Sequence, residues 1–267
     1  GSRTTKHMKR MKNHNLLFIL LLIFVQATAS ISVAEDKIAP PPPEEWPKPI
    51  EDDRPIWFLL FDRLEYDLNE GPDTILWDVQ GWIGSDYNKL WIKTEGDQKL
   101  SEDYGGDVEV QALYSRLISP FWYLQIGGRF DTLHGNGSDP SRGFGVIGFE
   151  GLAPYWYDVE TALFVSQAGD VSARLEAEYE LLFTQRLIAQ PRFETNIAIQ
   201  QVEKFGVGEG FNDVELGLRL RYEIRREFAP YIGISWMRLL GDTADIARNE
   251  GEEVDNLAFV AGVRMWF

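Results

Sequence analysis

Carboxylates are the residues of this chain whose spacing carries chemical content. Arg174, Glu176, Glu178 and Glu180 stand at every second position, with Leu175, Ala177, Tyr179, Leu181 and Phe183 between and after them. A second run sets Glu215, Arg219, Arg221, Glu223 and Arg225 opposite Val214, Leu216, Leu218, Leu220, Tyr222 and Ile224. Side chains two apart on an extended strand share a face, so each run has one charged side and one apolar side. The same parity puts Asp78, Lys93, Glu95, Glu109, Arg129, Asp158, Glu160, Arg192, Glu194 and Arg264 with the charged set. Rings of Asp and Glu select for cations, so the chemistry expected of this face is the weak, multi-site holding of positive ions. Pairing with arginines on neighbouring strands is the plainer reading of any single carboxylate; Glu176 to Glu180 beside Arg192 is one such expected ladder.

The candidate metal ligands are therefore Asp78, Glu95, Glu109, Asp158, Glu160, Glu176, Glu178, Glu180, Glu194 and Glu223, joined by His134 and Met237. His134 sits among Gly135, Asn136, Gly137 and Ser138, where a solvated loop imidazole is the simpler account, and Met237 could equally fill a gap. Asp242, Asp245, Glu250, Glu252, Glu253 and Asp255 crowd one link, as a solvated loop or as a gatherer of divalent ions that bridge lipopolysaccharide. Gly206, Gly208 and Gly210 do not make a phosphate loop, because the lysine and the following helix are missing. A catalytic reading would need His134 as base and Ser138 or Ser141 as nucleophile, all in or beside a glycine-rich loop, where fixed geometry is hard to hold. No catalytic residue is assigned.

Composition narrows the classes. The 267 residues contain no cysteine, which excludes disulfides and thiolate sites, and 44% hydrophobic residues with nine tryptophans exclude a wholly disordered chain. A formal charge of −16, from 26 basic and 42 acidic residues, argues against a nucleic-acid partner. Lys9, Arg10 and Lys12 precede an apolar run over 16–25 and the small residues Ala27, Ala29, Ser32 and Ala34, the order of a secretory signal peptide. Residues 1–34 are read as that signal, with 1–7 an addition or over-extension ahead of Met8; removing its five basic residues takes the charge from −16 to −21. Residues 35–55, with Pro40 to Pro43, Pro47 and Pro49, are read as a proline-rich periplasmic linker.

The elements that must position the carboxylates are strands. From Trp57 onward no segment sustains a helical stripe, whereas alternation recurs in twelve blocks near 57–68, 75–84, 88–96, 107–118, 121–131, 143–152, 155–166, 172–183, 187–201, 213–225, 230–240 and 257–267. Short connections near 85–87, 119–120, 153–154, 184–186 and 226–229 alternate with longer or glycine-rich ones near 69–74, 97–106, 132–142, 167–171, 202–212 and 241–256. Such alternation is the habit of an up-and-down transmembrane β-barrel. Ser119-Pro120-Phe121-Trp122, Ala153-Pro154-Tyr155-Trp156 and Ala229-Pro230-Tyr231 place prolines at strand entrances with aromatics at headgroup level. The last strand alternates Phe259, Ala261, Val263, Met265 and Phe267 and stops on an aromatic, similar to the terminal strand of bacterial outer-membrane barrels.

The expected fold is all-β, a transmembrane antiparallel barrel of about twelve strands over 56–267, apolar outside and charged within. A secreted soluble sandwich or lipocalin-like barrel is the alternative, with the two faces exchanged. Trp82, Trp91, Phe144, Phe164 and Trp266 fall on the charged side, as a constriction or as the sign of a register slip, and Asp62 and Glu65 on the first strand have opposite parity.

Particular stretches resemble the copper resistance protein B family of outer-membrane proteins. They are Lys89-Leu90-Trp91-Ile92-Lys93-Thr94-Glu95-Gly96, Gln111-Ala112-Leu113-Tyr114-Ser115-Arg116, Gly151-Leu152-Ala153-Pro154-Tyr155-Trp156, the run from Ala173 to Leu182, the run from Glu215 to Tyr231, and Val260-Ala261-Gly262-Val263-Arg264. The resemblance covers about Ile56 to Phe267. It implies a β-barrel that binds or conducts copper ions across the outer membrane as part of a periplasmic copper-handling system. The charged-face alternation and the −21 charge lead to the expectation of a monomeric barrel with an acidic cation route, both termini periplasmic and outer-membrane lipid and lipopolysaccharide around it. Members often carry a Met- and His-rich segment before the barrel; here that region is the proline-rich linker, which removes the soft and imidazole donors that copper prefers.

Overall fold

Alternating sequences of this kind bury one face per strand, and a closed sheet is the arrangement that leaves no unpaired edge. In the computed structural model, which describes residues 55–100, 105–135 and 140–267, that is what they form. The strands are β1 (Ile56–Leu68), β2 (Thr74–Gly84), β3 (Asn88–Lys99), β4 (Gly106–Ser119), β5 (Trp122–His134), β6 (Ser141–Ala153), β7 (Tyr157–Ser166), β8 (Val171–Glu178), β9 (Leu181–Leu182), β10 (Leu187–Ala198), β11 (Gly210–Phe211), β12 (Asp213–Tyr222), β13 (Phe228–Leu239) and β14 (Asp255–Trp266). All pairings are antiparallel between neighbours, β14 pairs β1, and β8 pairs β10 to continue the circuit. The two-residue β9 and β11 prolong β8 and β12, so the wall has the expected twelve staves. The signal segment and nearly all of the linker lie outside the described residues.

Burial is inverted relative to a water-soluble protein. Arg63, Glu65, Lys93, Glu109, Gln125, Arg192, Arg219 and Arg221 are buried, while Leu90, Ile92, Ile126, Ile147, Leu218, Ile232, Ile234 and Phe259 are exposed. The soluble alternative, with its apolar face inside, is thereby overturned. Among the described residues no helix is long and apolar enough to cross a membrane.

Three local features depart from simple alternation. β1 carries a bulge: its register shifts between Phe61 and Arg63 against β2 and between Phe61 and Glu65 against β14. The extra residue reverses parity, which is how Asp62 and Glu65 both reach the interior. The expected continuous strand 172–183 breaks at residues 179–180, opposite Pro191 of β10. The Tyr179 amide donates to the Pro191 carbonyl at 3.2 Å, but proline has no N–H to return the bond. The link expected as an acidic loop near 241–256 contains a helix, α1 (Gly241–Glu250), with Thr243, Ala244 and Ala247 buried. Thr243 Oγ1 accepts from the Gly208 amide at 2.9 Å and from Asn212 Nδ2 at 2.7 Å, pinning the helix to the residues on either side of β11.

Candidate functional site: an acidic lumen

Cross-strand partners on the inner face define continuous rows. One runs Glu150, Glu160, Glu176, Glu194, Glu215 through β6, β7, β8, β10 and β12, each directly opposite the next, and then meets Met237 and Asn256. Glu150 lies near the short-turn end of β6 and Glu215 near the long-link end of β12, so the row climbs the wall from one mouth toward the other. Neighbouring positions in such a row are about 4.5–5.5 Å apart. A second acidic row, Asp78, Glu95, Glu109, Asp131, crosses β2 to β5.

Glu150, Glu160 and Glu176 of the first row and Asp78, Glu95 and Glu109 of the second line a cavity of ≈ 130 Å³, enough for several waters. Nine carboxylates line it, those of Asp62, Asp78, Glu95, Glu109, Glu150, Asp158, Glu160, Glu176 and Glu178, against three cations, Lys93, Arg174 and Arg264. Further arginines sit behind the lining. Arg192 is within ion-pair distance of Glu194 (2.6 Å), Glu176 (2.9 Å), Glu178 (3.3 Å) and Glu215 (3.5 Å). Arg63 reaches Glu95 (2.5 Å), Asp78 (3.3 Å) and Glu215 (3.9 Å). Two cations cross the lumen. Arg174 of β8 contacts Glu109 (2.8 Å) and Glu95 (3.3 Å) on the facing wall, and Lys93 of β3 contacts Glu160 (2.5 Å) and Glu150 (3.1 Å). The interior is thus densely paired yet retains a carboxylate surplus around an open polar space.

The expected ladder from Arg192 holds for Glu176 and Glu178, whereas Glu180 turns away to Arg221 at 2.6 Å, with Glu223 at 3.9 Å from the same guanidinium. Seven of the candidate ligands line the cavity, namely Asp78, Glu95, Glu109, Asp158, Glu160, Glu176 and Glu178, and Glu194 is tied to Arg192 and Arg174 beside it. Met237 occupies the upper continuation of the first row, half-exposed. His134 is exposed at the end of β5, apart from the cavity. Among the described residues no three His, Cys, Asp or Glu side chains converge into a metal-holding group, so the candidates form a distributed surface rather than one coordination sphere. Sequence parity left out Asp62, hidden by the bulge, and Glu150, whose inward face is otherwise announced only by Phe144 and Val146.

Four of the five aromatics expected on the charged side pack together, whereas Trp266 stands beside Phe58, 6.0 Å between ring centroids, and donates to the Arg226 carbonyl at 2.7 Å. Trp91, Leu113, Phe144, Val146, Ala162 and Phe164 cluster on the inner wall with Trp82 against them, and the register through these strands is unbroken at these positions. The Arg129 guanidinium lies 4.5 Å from the Phe164 ring centroid, and that of Arg142 is stacked between Phe205 (4.2 Å) and Phe144 (4.9 Å). A link on the β10 side therefore reaches across to β6. Elsewhere Glu65, fully buried, accepts from Arg219 and, at 2.9 Å, from Tyr231, whose ring lies over Gly262 in the space a Cβ would need.

Comparison with known proteins gives a consistent set of likenesses. The family model described as "Copper resistance protein B precursor (CopB)" matches residues 55–267. Copper resistance protein B of Escherichia coli is 42% identical over 218 residues, covering 82% of this chain and 72% of that protein. The copper resistance protein B homolog of Pseudomonas syringae pv. tomato (strain ATCC BAA-871 / DC3000) is 39% identical over 211 residues, covering 79% and 69%. Among solved structures, the NanC porin superposes with a TM-score of 0.51 at 11% identity, over 78% of this chain and 98% of that one, a likeness of fold.

Proposed function

The chain belongs to the copper resistance protein B family, which gives it a role in copper resistance, and from that premise we propose that it passes copper ions through the acidic lumen of an outer-membrane barrel. Its outer-membrane location is supported by the barrel fold and by the family. The observation that carries the reading is the climbing row Glu150, Glu160, Glu176, Glu194, Glu215 beside a cavity lined by nine carboxylates and three cations. Conduction needs sites that are favourable but weak and multiple. Carboxylates spread over five strands, none gathered into a closed cage, meet that requirement, and copper is here a cargo. The periplasmic termini, lipopolysaccharide contact through the acidic link, and hand-over to periplasmic copper-handling proteins belong to the same proposal. The family and fold accord with a non-enzymatic protein.

The test is metal flux into liposomes holding the purified protein, comparing copper with zinc and potassium. The variant Glu176→Gln/Glu178→Gln/Glu180→Gln is chosen because Arg192 keeps Glu194 and Glu215, and Arg221 keeps Gln190 at 2.8 Å. Copper flux that falls in the variant is the expected result. Folded, inserted protein that passes no copper refutes the proposal and leaves a barrel that anchors or binds.

A further inference from the structure

Lys93 differs from the other lumen cations in having a second place to go. Its ammonium spans from β3 to Glu150 and Glu160 on β6 and β7, and Glu150 Oε2 also accepts from Gln125 at 2.6 Å. Directly opposite Lys93 on β4 stands Gln111, 5% exposed and lining the same cavity. Gln111 Nε2 donates to Glu109 at 2.6 Å, while its Oε1 has no hydrogen-bond partner. A buried carbonyl oxygen left unpaired is costly, and it lies across one register step from a flexible ammonium. The Trp91 ring, 5.3 Å from Nζ, offers a face to the same cation.

We propose that Lys93 is a tethered counter-ion that sets a valence threshold for the lumen, sitting between Glu150 and Glu160 until a divalent cation displaces it onto Gln111. The inference rests on the acidic lumen being the ion route. A monovalent ion replacing the ammonium leaves the charge on the two carboxylates unchanged, and it competes with a group held at an effective concentration on the order of millimolar or above. A divalent ion neutralises both carboxylates at once and can win that competition. Oxygen donors also suit the harder oxidation state, so the admitted form of copper is Cu(II) rather than Cu(I). Lys93 is then the specificity-determining residue of the lumen, and Gln111 positions it in the displaced state.

The experiment measures potassium conductance and the permeability ratio of Cu(II) to potassium for the full chain in planar bilayers. Lys93→Met is expected to raise potassium conductance about tenfold or more and to lower the Cu(II) preference accordingly, because the tether's local concentration is lost; Lys93→Arg, whose planar fork grips both carboxylates and is harder to displace, keeps the potassium path closed but lowers Cu(II) permeation. Gln111→Leu, which removes the second seat, lowers Cu(II) permeation without opening the potassium path. Since Lys93→Met strands two carboxylates, Lys93→Met/Glu160→Gln serves as the second variant: it removes the tether at unchanged net charge and is expected to leak potassium as well. Unchanged potassium conductance in both variants, with copper flux present in the wild type, overturns the role of Lys93 and leaves the acidic route standing. No ion flux in any folded variant overturns both.

Discussion

Replacing Arg192 with Met tests whether the lumen is held together by its charges. The guanidinium is 2% exposed and holds four carboxylates. Glu194 retains Arg174 at 3.4 Å and Glu215 retains Arg63 at 3.9 Å after the change. Glu178 keeps the amide of Gln190 at 2.6 Å, whereas Glu176 has no other cation within ion-pair distance among the described residues. Breaking a buried pair by removing one partner costs about 3–5 kcal/mol; with two of four carboxylates still paired, the lower end, about 3 kcal/mol, is expected. Neutralising the stranded group in Arg192→Met/Glu176→Gln recovers about 1–2 kcal/mol, a coupling of the size found for residues in one network. Urea unfolding in detergent micelles, followed by tryptophan fluorescence and by the gel mobility of the folded barrel, gives both numbers. A loss under about 1 kcal/mol, or no recovery in the double variant, refutes the view that the inner wall is a coupled charge network.

Three further outcomes follow from particular contacts. Gly262→Ala sets a Cβ against both the Leu64 carbonyl of β1 and the Tyr231 ring, disturbing the bond to Glu65 and costing about 1–3 kcal/mol in the same unfolding assay; retention of wild-type stability would show that neither is packed against the glycine. Pro191→Ala supplies the N–H missing opposite Tyr179, so amide exchange at residues 179–181 should slow, and unchanged exchange rates count against the ladder-gap account. Ile234→Arg, on the outer wall of β13, should cost about 2–4 kcal/mol in lipid bilayers, and a neutral effect would contradict lipid contact at that face.

The strand count, the alternation of link lengths and most of the inner face are legible in the sequence because a period of two, once begun, fixes every side chain until something interrupts it. Three interruptions escaped that logic. The bulge after Phe61 changes parity without any glycine to mark it, and only the conflict between Asp62 and Glu65 signals it. The stop at Glu178 is written on a different strand, in Pro191. Helix α1 forms in a polar segment whose anchoring, Thr243 against Gly208 and Asn212, depends on a link some thirty positions earlier. As for the site, parity identifies which carboxylates face inward but cannot reveal the order in which they line up. The row from Glu150 to Glu215 depends on the stagger between strands, set by the length of every intervening link.

Inverted burial gives the two sides of the wall different freedoms to change. Outer positions such as Ile92, Ile126, Leu218 and Ile234 meet only a fluid solvent, so one apolar side chain can replace another independently of its neighbours. Inner positions have no such independence. Arg192 binds its own strand to β8 and β12, Arg63 ties β1 to β2, β3 and β12, and Arg174 joins β8 to β3, β4 and β10. A change of charge at one of these sites is felt on two or three other strands. Substitutions in the lumen must therefore accumulate in compensating sets, while the outer wall drifts one residue at a time.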